Sequence, residues 1–429
     1  MLDVGKGHRL NSIPNLMNIK NKLINMEKIS NYNKYLSYKS GRLKIENIFL
    51  DDIALKYGTP TFCYSVNQIK DNLYNLKNSF SKIKPLICYA MKANFNKGIV
   101  KLMSKNNLGV DVVSKGELKE SLECGIKNNK IVFSGVGKTD EEINFALKNN
   151  IKQINVESEE ELEEIGNQAK FLKRKINISL RVNPNVDALT HDKISTGRLE
   201  DKFGISKEKV EKVFRYHKDN RYLNINGLSI HIGSQICKIE PFRQAFKKIR
   251  NLVLSLKKKN ILIDSLDIGG GIGIIYDVNK DRIFKISDYA ILVEENFADL
   301  GVEIIIEPGR FLVGASGILI SKVIRVKKGE KKDFLIVDAG MNNLLRPSLY
   351  NSKHSIFPVK SGKKKIEYDI VGPICETSDI FRKSYLLSKQ EKNNLIIICS
   401  VGAYGSSMSS DYNLRGLANE ILVDGNKIL

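Results

Sequence analysis

The sequence predicts an α/β protein: a closed (β/α)8 barrel of TIM type followed by a C-terminal all-β domain. Two observations carry this. From about residue 66, short β-branched apolar runs alternate with longer, charged segments of helical period, the pattern of repeated parallel β-α units. After Arg310 the pattern changes to strand-like segments separated by turns, with few helical stretches, which reads as a second domain of β-structure.

The eight runs are Pro85–Ala90, Gly109–Val113, Lys130–Phe133, Gln153–Val156, Ile176–Val182, Gly227–His231, Ser265–Ile268 and Val302–Glu307. Between them the helical period predicts Gly116–Cys124, Ser158–Ala169, Lys207–Tyr216 and Phe242–Leu256, with Ser158 and Glu161 placed as a capping box. Eight strands with interleaved helices over roughly 240 residues match a (β/α)8 barrel. Beyond it, strands are expected at Lys322–Val326, Phe334–Val337, Glu367–Val371 and Leu395–Cys399. Leu43–Ile45 and the Gly-Thr-Pro of residues 58–60, leading into Thr61–Tyr64, are expected to add a strand to that β domain. The expected division is an N-terminal extension at 1–30, a segment at 31–64 joining the β domain, the barrel at 65–310 and the β domain at 311–429.

The bulk properties exclude little by size but something by pattern. The 429 residues carry a formal charge of +21, yet the lysines are scattered, with no arginine-rich tract and no basic stripe interleaved with aromatics, so no nucleic-acid partner is expected. No uncharged apolar run approaches the roughly 18 residues that span a bilayer. The longest, Phe311–Ile320, fits a buried strand, and no membrane association is expected. Cys63, Cys88, Cys124, Cys237, Cys375 and Cys399 show neither metal-ligand spacing nor a disulfide framework, which favours a reducing, cytoplasmic setting and no metal. Residues 1–26 carry Lys6, Arg9 and Lys20 without an apolar core. They are compatible with an organellar targeting segment or with a start upstream of Met17 or Met26, not with a secretory signal.

Barrel enzymes place their chemistry at the C-terminal ends of the strands, and the unusual polar residues fall there. Lys92 follows the first strand in Cys-Tyr-Ala-Met-Lys-Ala-Asn; Asp111 and Ser114 end the second, and Arg181 lies in the fifth. His231 ends the sixth, Gly269–Gly271 follow the seventh and Glu307 ends the eighth. A lysine flanked by small residues at an apolar strand end can be partly desolvated, which lowers its pKa and suits it to a Schiff base. In so lysine-rich a chain, position is what separates it from a snorkelling surface lysine. The glycine triplet offers bare backbone N–H groups where barrels bind phosphate, and it lacks the spaced dinucleotide fingerprint, since Ile274 stands where the last glycine would fall. In Glu-Pro-Gly-Arg, Pro308 and Gly309 turn the chain so as to present Glu307 and Arg310. Such a carboxylate can keep a pyridine nitrogen protonated. His231 can stack on a planar ring, with Ser234 available to a phosphate.

In their joint order these residues resemble the fold-type III pyridoxal-phosphate enzymes, which share an alanine-racemase-like architecture, and within them the diaminopimelate decarboxylase family. The resemblance runs over roughly residues 40–420. It rests on Tyr-Ala-Met-Lys-Ala-Asn, Ser-Lys-Gly-Glu-Leu (Ser114–Leu118), His-Asp-Lys-Ile-Ser-Thr-Gly with Lys-Phe-Gly-Ile (His191–Gly197, Lys202–Ile205), His-Ile-Gly-Ser-Gln, Asp-Ile-Gly-Gly-Gly, Glu-Pro-Gly-Arg, Cys-Glu-Thr-Ser-Asp (Cys375–Asp379) and Gly-Ala-Tyr-Gly (Gly402–Gly405).

The resemblance implies a barrel that binds pyridoxal 5'-phosphate, with Lys92 holding the cofactor, His231 stacked on its ring, Glu307 facing its nitrogen, and Ser234, Gly270, Gly271 and Tyr404 around its phosphate. Arg310, Arg346 and Tyr350 look like the groups that hold the retained carboxylate of an amino-acid substrate, and Glu376 the one that reads the amino group beside it. Cys375 resembles the cysteine that protonates the product carbon, supplied in the family by the neighbouring subunit; the implied assembly is a homodimer with shared active sites. The implied reaction converts meso-2,6-diaminopimelate to L-lysine and carbon dioxide. Three positions depart from the familiar pattern: Cys-Glu-Ser-Gly-Asp reads Cys375-Glu376-Thr377-Ser378-Asp379, which is expected to alter the loop presenting Cys375, and Asp411 stands for an asparagine.

The nearest rival is a decarboxylase of ornithine or arginine, which shares the cofactor site but needs an acidic distal pocket in place of Arg346. An alanine-racemase-like reaction would need a tyrosine base where this chain offers Cys375 and Glu376. A cofactor-binding or nucleic-acid-binding protein without turnover is the reading from a different class.

Overall fold

The computed structural model describes residues 28–198, 200–278 and 280–429; the N-terminal segment discussed above therefore lies outside the described residues up to residue 27. Eight strands form the barrel: β1 (Leu86–Ala90), β2 (Gly109–Val112), β3 (Ile131–Phe133), β4 (Gln153–Val156), β5 (Ile176–Asn183), β6 (Leu223–Ser229), β7 (Ser265–Asp267) and β8 (Glu303–Ile306). Each pairs in parallel with the next, and β8 pairs with β1 through Ile305 with Leu86 and Ile306 with Ile87, which closes the ring. Parallel strands need a crossover between them, and helices such as Lys115–Glu123, Glu159–Leu172, Lys207–Tyr216 and Glu240–Lys258 supply it.

Local chemistry sets the helix starts. The Ser158 hydroxyl accepts from Glu161 N as a cap, but the Glu161 carboxylate turns to the N–H of Glu157 and to the ammonium of Lys138, so only half of the expected capping box forms. The full box occurs instead at Thr139 and Glu142. In Glu240–Lys258 the apolar face carries Phe242, Phe246 and Val253 against the barrel wall, where the Phe246 ring meets Tyr289 and Phe297 edge-on.

The second sheet is mostly antiparallel. The strand Thr61–Ser65 lies between Gly317–Lys327 and Asn419–Asp424, so the chain does enter this sheet before it enters the barrel. Leu43–Ile45 does not join it as a strand. Arg42–Ile45 forms a small three-stranded sheet with Leu36–Lys39 and Ile48–Phe49, tied to the β domain by the Leu43 N–H donating to Val359 O at 2.8 Å. The apolar run Phe311–Ile320 is also not one strand: Arg310–Val313 is a helical turn, and the strand starts only at Gly317. The turn lets the chain leave the barrel rim and points Arg310 back into it. Among the described residues no helix is long and apolar enough to cross a membrane.

Candidate active site

Strand register builds the first wall of the site. Ala90 pairs with Asp111 across β1 and β2, so Lys92 overhangs the strand end beside that carboxylate. Lys92 Nζ donates to Asp111 Oδ2 at 2.5 Å; Asp111 has no exposed surface, and its other oxygen has no hydrogen-bond partner among the described residues. Two more acids lie buried nearby. Asp267, at the end of β7, accepts from Gly269 N at 3.0 Å and Asn155 Nδ2 at 3.1 Å. Glu307, just beyond β8, accepts from the Ser134 hydroxyl at 3.4 Å.

This crowding reverses one expectation. Burial alone would lower the Lys92 pKa, but the carboxyl groups of Asp111 and then Glu307 outweigh it and hold the ammonium above the usual lysine range. The acids bear the cost. Burial, then Asp111 and Asp267, push Glu307 well above the usual carboxylate range, and burial pushes Asp267 up to about 6. Three carboxylates around one ammonium leave room for a second cation.

His231 lies across from this wall, its Nδ1 3.9 Å from Glu307 Oε2. The Gly270 N–H donates to His231 Nδ1 at 3.2 Å, so the ring proton sits on Nε2. Burial, with Arg181 and Lys92 close by, lowers its pKa well below the ordinary value; the imidazole is neutral. Arg181 itself is committed to Glu157 at 2.6 Å. The glycine triplet is less bare than its sequence suggests, because Gly269 N is taken by Asp267 and Gly270 N by His231. Its glycines are needed for close approach: a Cβ on Gly270 would lie 2.0 Å from Glu307 O.

The second wall is basic. Arg310 donates through Nη2 to Ser234 Oγ at 2.9 Å and through Nη1 to the Tyr276 hydroxyl, and its guanidinium lies 4.6 Å from the Tyr404 ring centre. Tyr404, at φ +55°, is fixed by its N–H to Ala93 O at 2.8 Å, which brings the Gly-Ala-Tyr-Gly loop against the Lys92 segment. Arg346 stands 4.3 Å over the Tyr276 ring and 5.9 Å from that of Tyr350. Burial, with Arg310 adding repulsion, lowers its pKa to about 10. Both arginines are buried, both Nε atoms lack a hydrogen-bond partner, and neither has a carboxylate partner among the described residues.

The structure thus brings together Lys92, His231, Ser234, Gly270, Gly271, Glu307, Arg310, Arg346, Tyr350 and Tyr404. It does not bring Cys375 and Glu376 with them. They sit on the exposed connection between Lys365–Val371 and Ile380–Ser388, where the Glu376 carboxylate accepts from the hydroxyls of Tyr412 at 2.8 Å and Ser378 at 2.9 Å. Ser378, in the place of the familiar glycine, adopts no left-handed backbone and instead holds Glu376.

Sequence reasoning missed Tyr276 and His354. Tyr276 links the two arginines; His354 accepts from Arg346 Nη1 through Nε2 at 3.3 Å. Tyr276 follows the glycine triplet closely enough to have been suspected, while nothing local marks His354.

An acidic wall with one ammonium suits pyridoxal phosphate, whose ring nitrogen can carry a proton, and a basic wall without a carboxylate partner among the described residues suits an anionic substrate group beside it. Comparisons agree. Residues 66–314 match the family model described as pyridoxal-dependent decarboxylase, pyridoxal binding domain. The chain is 42% identical over 404 residues to diaminopimelate decarboxylase of Aquifex aeolicus, covering 94% of this chain and 96% of that one. It superposes with a TM-score of 0.85 on diaminopimelate decarboxylase from Helicobacter pylori complexed with L-lysine, at 42% identity over 88% of this chain and 95% of the other. The corresponding M. jannaschii enzyme in co-complex with L-lysine gives 0.88 at 36% identity, covering 93% and 94%.

Proposed function

The chain belongs to the diaminopimelate decarboxylase family, and from that premise we propose that it is a pyridoxal-phosphate-dependent enzyme converting meso-2,6-diaminopimelate to L-lysine and carbon dioxide. The observation that carries this reading is the opposition of the two walls: a lysine beside buried acids, and near it two buried arginines that have no acid partner among the described residues.

Lys92 would hold pyridoxal phosphate through Nζ, with Glu307 toward its ring nitrogen, His231 against its ring, and Ser234, Gly270, Gly271 and Tyr404 around its phosphate. When bound, this group supplies an electron sink for the pair left behind when the carboxylate departs. The remaining work falls to the chain. Arg310, Arg346 and Tyr350 would take the retained carboxylate, since guanidinium forks bind carboxylates bidentately. Fixing that end would orient the rest of the substrate toward Lys92, so that the reacting carbon is held in one place instead of tumbling. Glu376 would read the amino group beside the retained carboxylate. The Cys375 thiol would deliver the proton to the carbon that carbon dioxide leaves.

Cys375 and Glu376 would come from a second copy of the chain, giving a homodimer with shared active sites. Support comes from their exposure and from the apolar side chains beside them: Tyr412, Leu414 and Leu417 are also exposed, with Leu414 at 92%, as expected of a surface meant to be covered. The lack of any disulfide among the six cysteines fits a reducing cytoplasm.

A decarboxylase of ornithine or arginine would bring a cation toward Arg310 and Arg346, where charge repulsion opposes it. Purified protein loaded with pyridoxal phosphate and offered each amino acid should release carbon dioxide and L-lysine from meso-2,6-diaminopimelate. Turnover of ornithine without turnover of diaminopimelate would sink the assignment.

A further inference from the structure

The space around the two arginines is filled by neutral groups. The Tyr276 hydroxyl accepts from Arg310 while its ring face lies 4.3 Å from the Arg346 guanidinium. His354 meets the same tyrosine edge-on at 4.8 Å between ring centres. It donates from Nδ1 to Cys399 O at 2.8 Å, leaving Nε2 to accept from Arg346 Nη1 at 3.3 Å. Both side chains are buried, His354 at 1% exposure. A carboxylate in either place would neutralise an arginine and hold it away from ligands; a protonated imidazole would repel it. A neutral acceptor does neither. It fixes one edge of Arg346 and leaves the Nε side, which has no hydrogen-bond partner among the described residues, for something anionic.

We propose that Tyr276 and His354 are positioning residues for the substrate's retained carboxylate: Tyr276 spaces and orients Arg310 and Arg346, and His354 locks Arg346 by its Nη1 edge without consuming its charge. This deepens the decarboxylase reading and rests on it. A histidine that only filled the core would lower stability without altering which ligands the site prefers.

The test compares two inhibitors of the holoenzyme that differ by one carboxylate, L-lysine and pentane-1,5-diamine, alongside KM and kcat for meso-2,6-diaminopimelate. His354→Leu should weaken lysine inhibition and raise KM by about 10- to 50-fold, the range for misaligning one charge-assisted contact. Inhibition by the diamine should be unchanged, and kcat should fall less than KM rises. His354→Gln, whose amide oxygen can take the bond from Arg346, should restore most of the lysine affinity. Tyr276→Phe, nearly isosteric and lacking the acceptor for Arg310, should also weaken lysine selectively. Equal weakening of lysine and diamine, or lysine inhibition unchanged in both His354→Leu and Tyr276→Phe, would overturn the proposal. Should His354→Leu not fold, Tyr276→Phe and His354→Gln still decide it: lysine affinity unchanged in the first, or no better than diamine affinity in the second, overturns it. Failure of the decarboxylase reading has a different mark, an unmodified protein that releases no carbon dioxide from meso-2,6-diaminopimelate.

Discussion

Lys92 Nζ lies 2.5 Å from Asp111 Oδ2, and the second oxygen of that fully buried carboxylate has no hydrogen-bond partner among the described residues. The pair explains how an ammonium is kept at an apolar strand end, and it sets the condition for covalent capture of an aldehyde, because only the free amine attacks. With its pKa raised, Lys92 becomes more reactive as pH rises. Asp111→Asn removes one of the charges that hold it up, so the pH dependence of pyridoxal phosphate uptake by the cofactor-free protein should move to lower pH. Growth of visible absorbance after mixing, followed across pH, reads this directly. Identical curves for the two proteins would show that Asp111 does not control the lysine.

The proposed sharing of sites between two chains makes a prediction about mixtures. Lys92→Ala and Cys375→Ala homodimers should each be inactive or nearly so. Co-refolded in equal amounts, half of the dimers should be mixed and each should contain one intact site of two, so about a quarter of native activity should return. A mixture no more active than its parents would place Cys375 and Lys92 of one site on the same chain.

Arg346→Lys keeps the charge but loses the planar fork. We expect KM for meso-2,6-diaminopimelate to rise about tenfold or more, the weight of one charge-assisted contact, with cofactor content unchanged. Steady-state kinetics of the loaded variant measure it.

His354 should make the fold acid-sensitive. Burial, then Arg346, lowers its pKa to about 3, whereas the unfolded chain takes up that proton near pH 6.5. The unfolded state therefore binds more protons between those values, and this stability is present above about pH 6.5 and lost as pH falls toward 3, by about 1.4 kcal/mol per unit. Asp267, pushed up to about 6 by burial, works in the opposite direction over part of the same window. The informative quantity is thus the difference between proteins: in denaturant unfolding of the cofactor-free form, His354→Gln should lose about 2 kcal/mol less than the native chain between pH 7 and pH 5. Equal losses would mean that His354 is charged in the fold.

The barrel was legible because each strand carries its own periodic signal, and the rim residues because they follow strand ends. Where strands are locally weak the reading slipped. The sixth strand begins at Leu223, not Gly227, since Asn224 and Asn226 interrupt the β-branched run and a register shift falls between Ile225 and Gly227. The run Phe311–Ile320 reads as strand by composition, but the exit from the barrel needs a turn there. The electrostatics were not legible at all. That Lys92 is held charged follows from acids at the ends of β2 and β8 meeting once the ring closes. The bond from Arg346 to His354, and the shared tyrosine at position 276, likewise exist only after the β domain docks its loops over the barrel mouth.

The most direct test is reduction of the cofactor-loaded protein with borohydride followed by peptide mapping. The account predicts a single pyridoxyl adduct on Lys92, because among the described residues this is the lysine that sits with the buried acids at the mouth of the barrel. An adduct on any other lysine would contradict it.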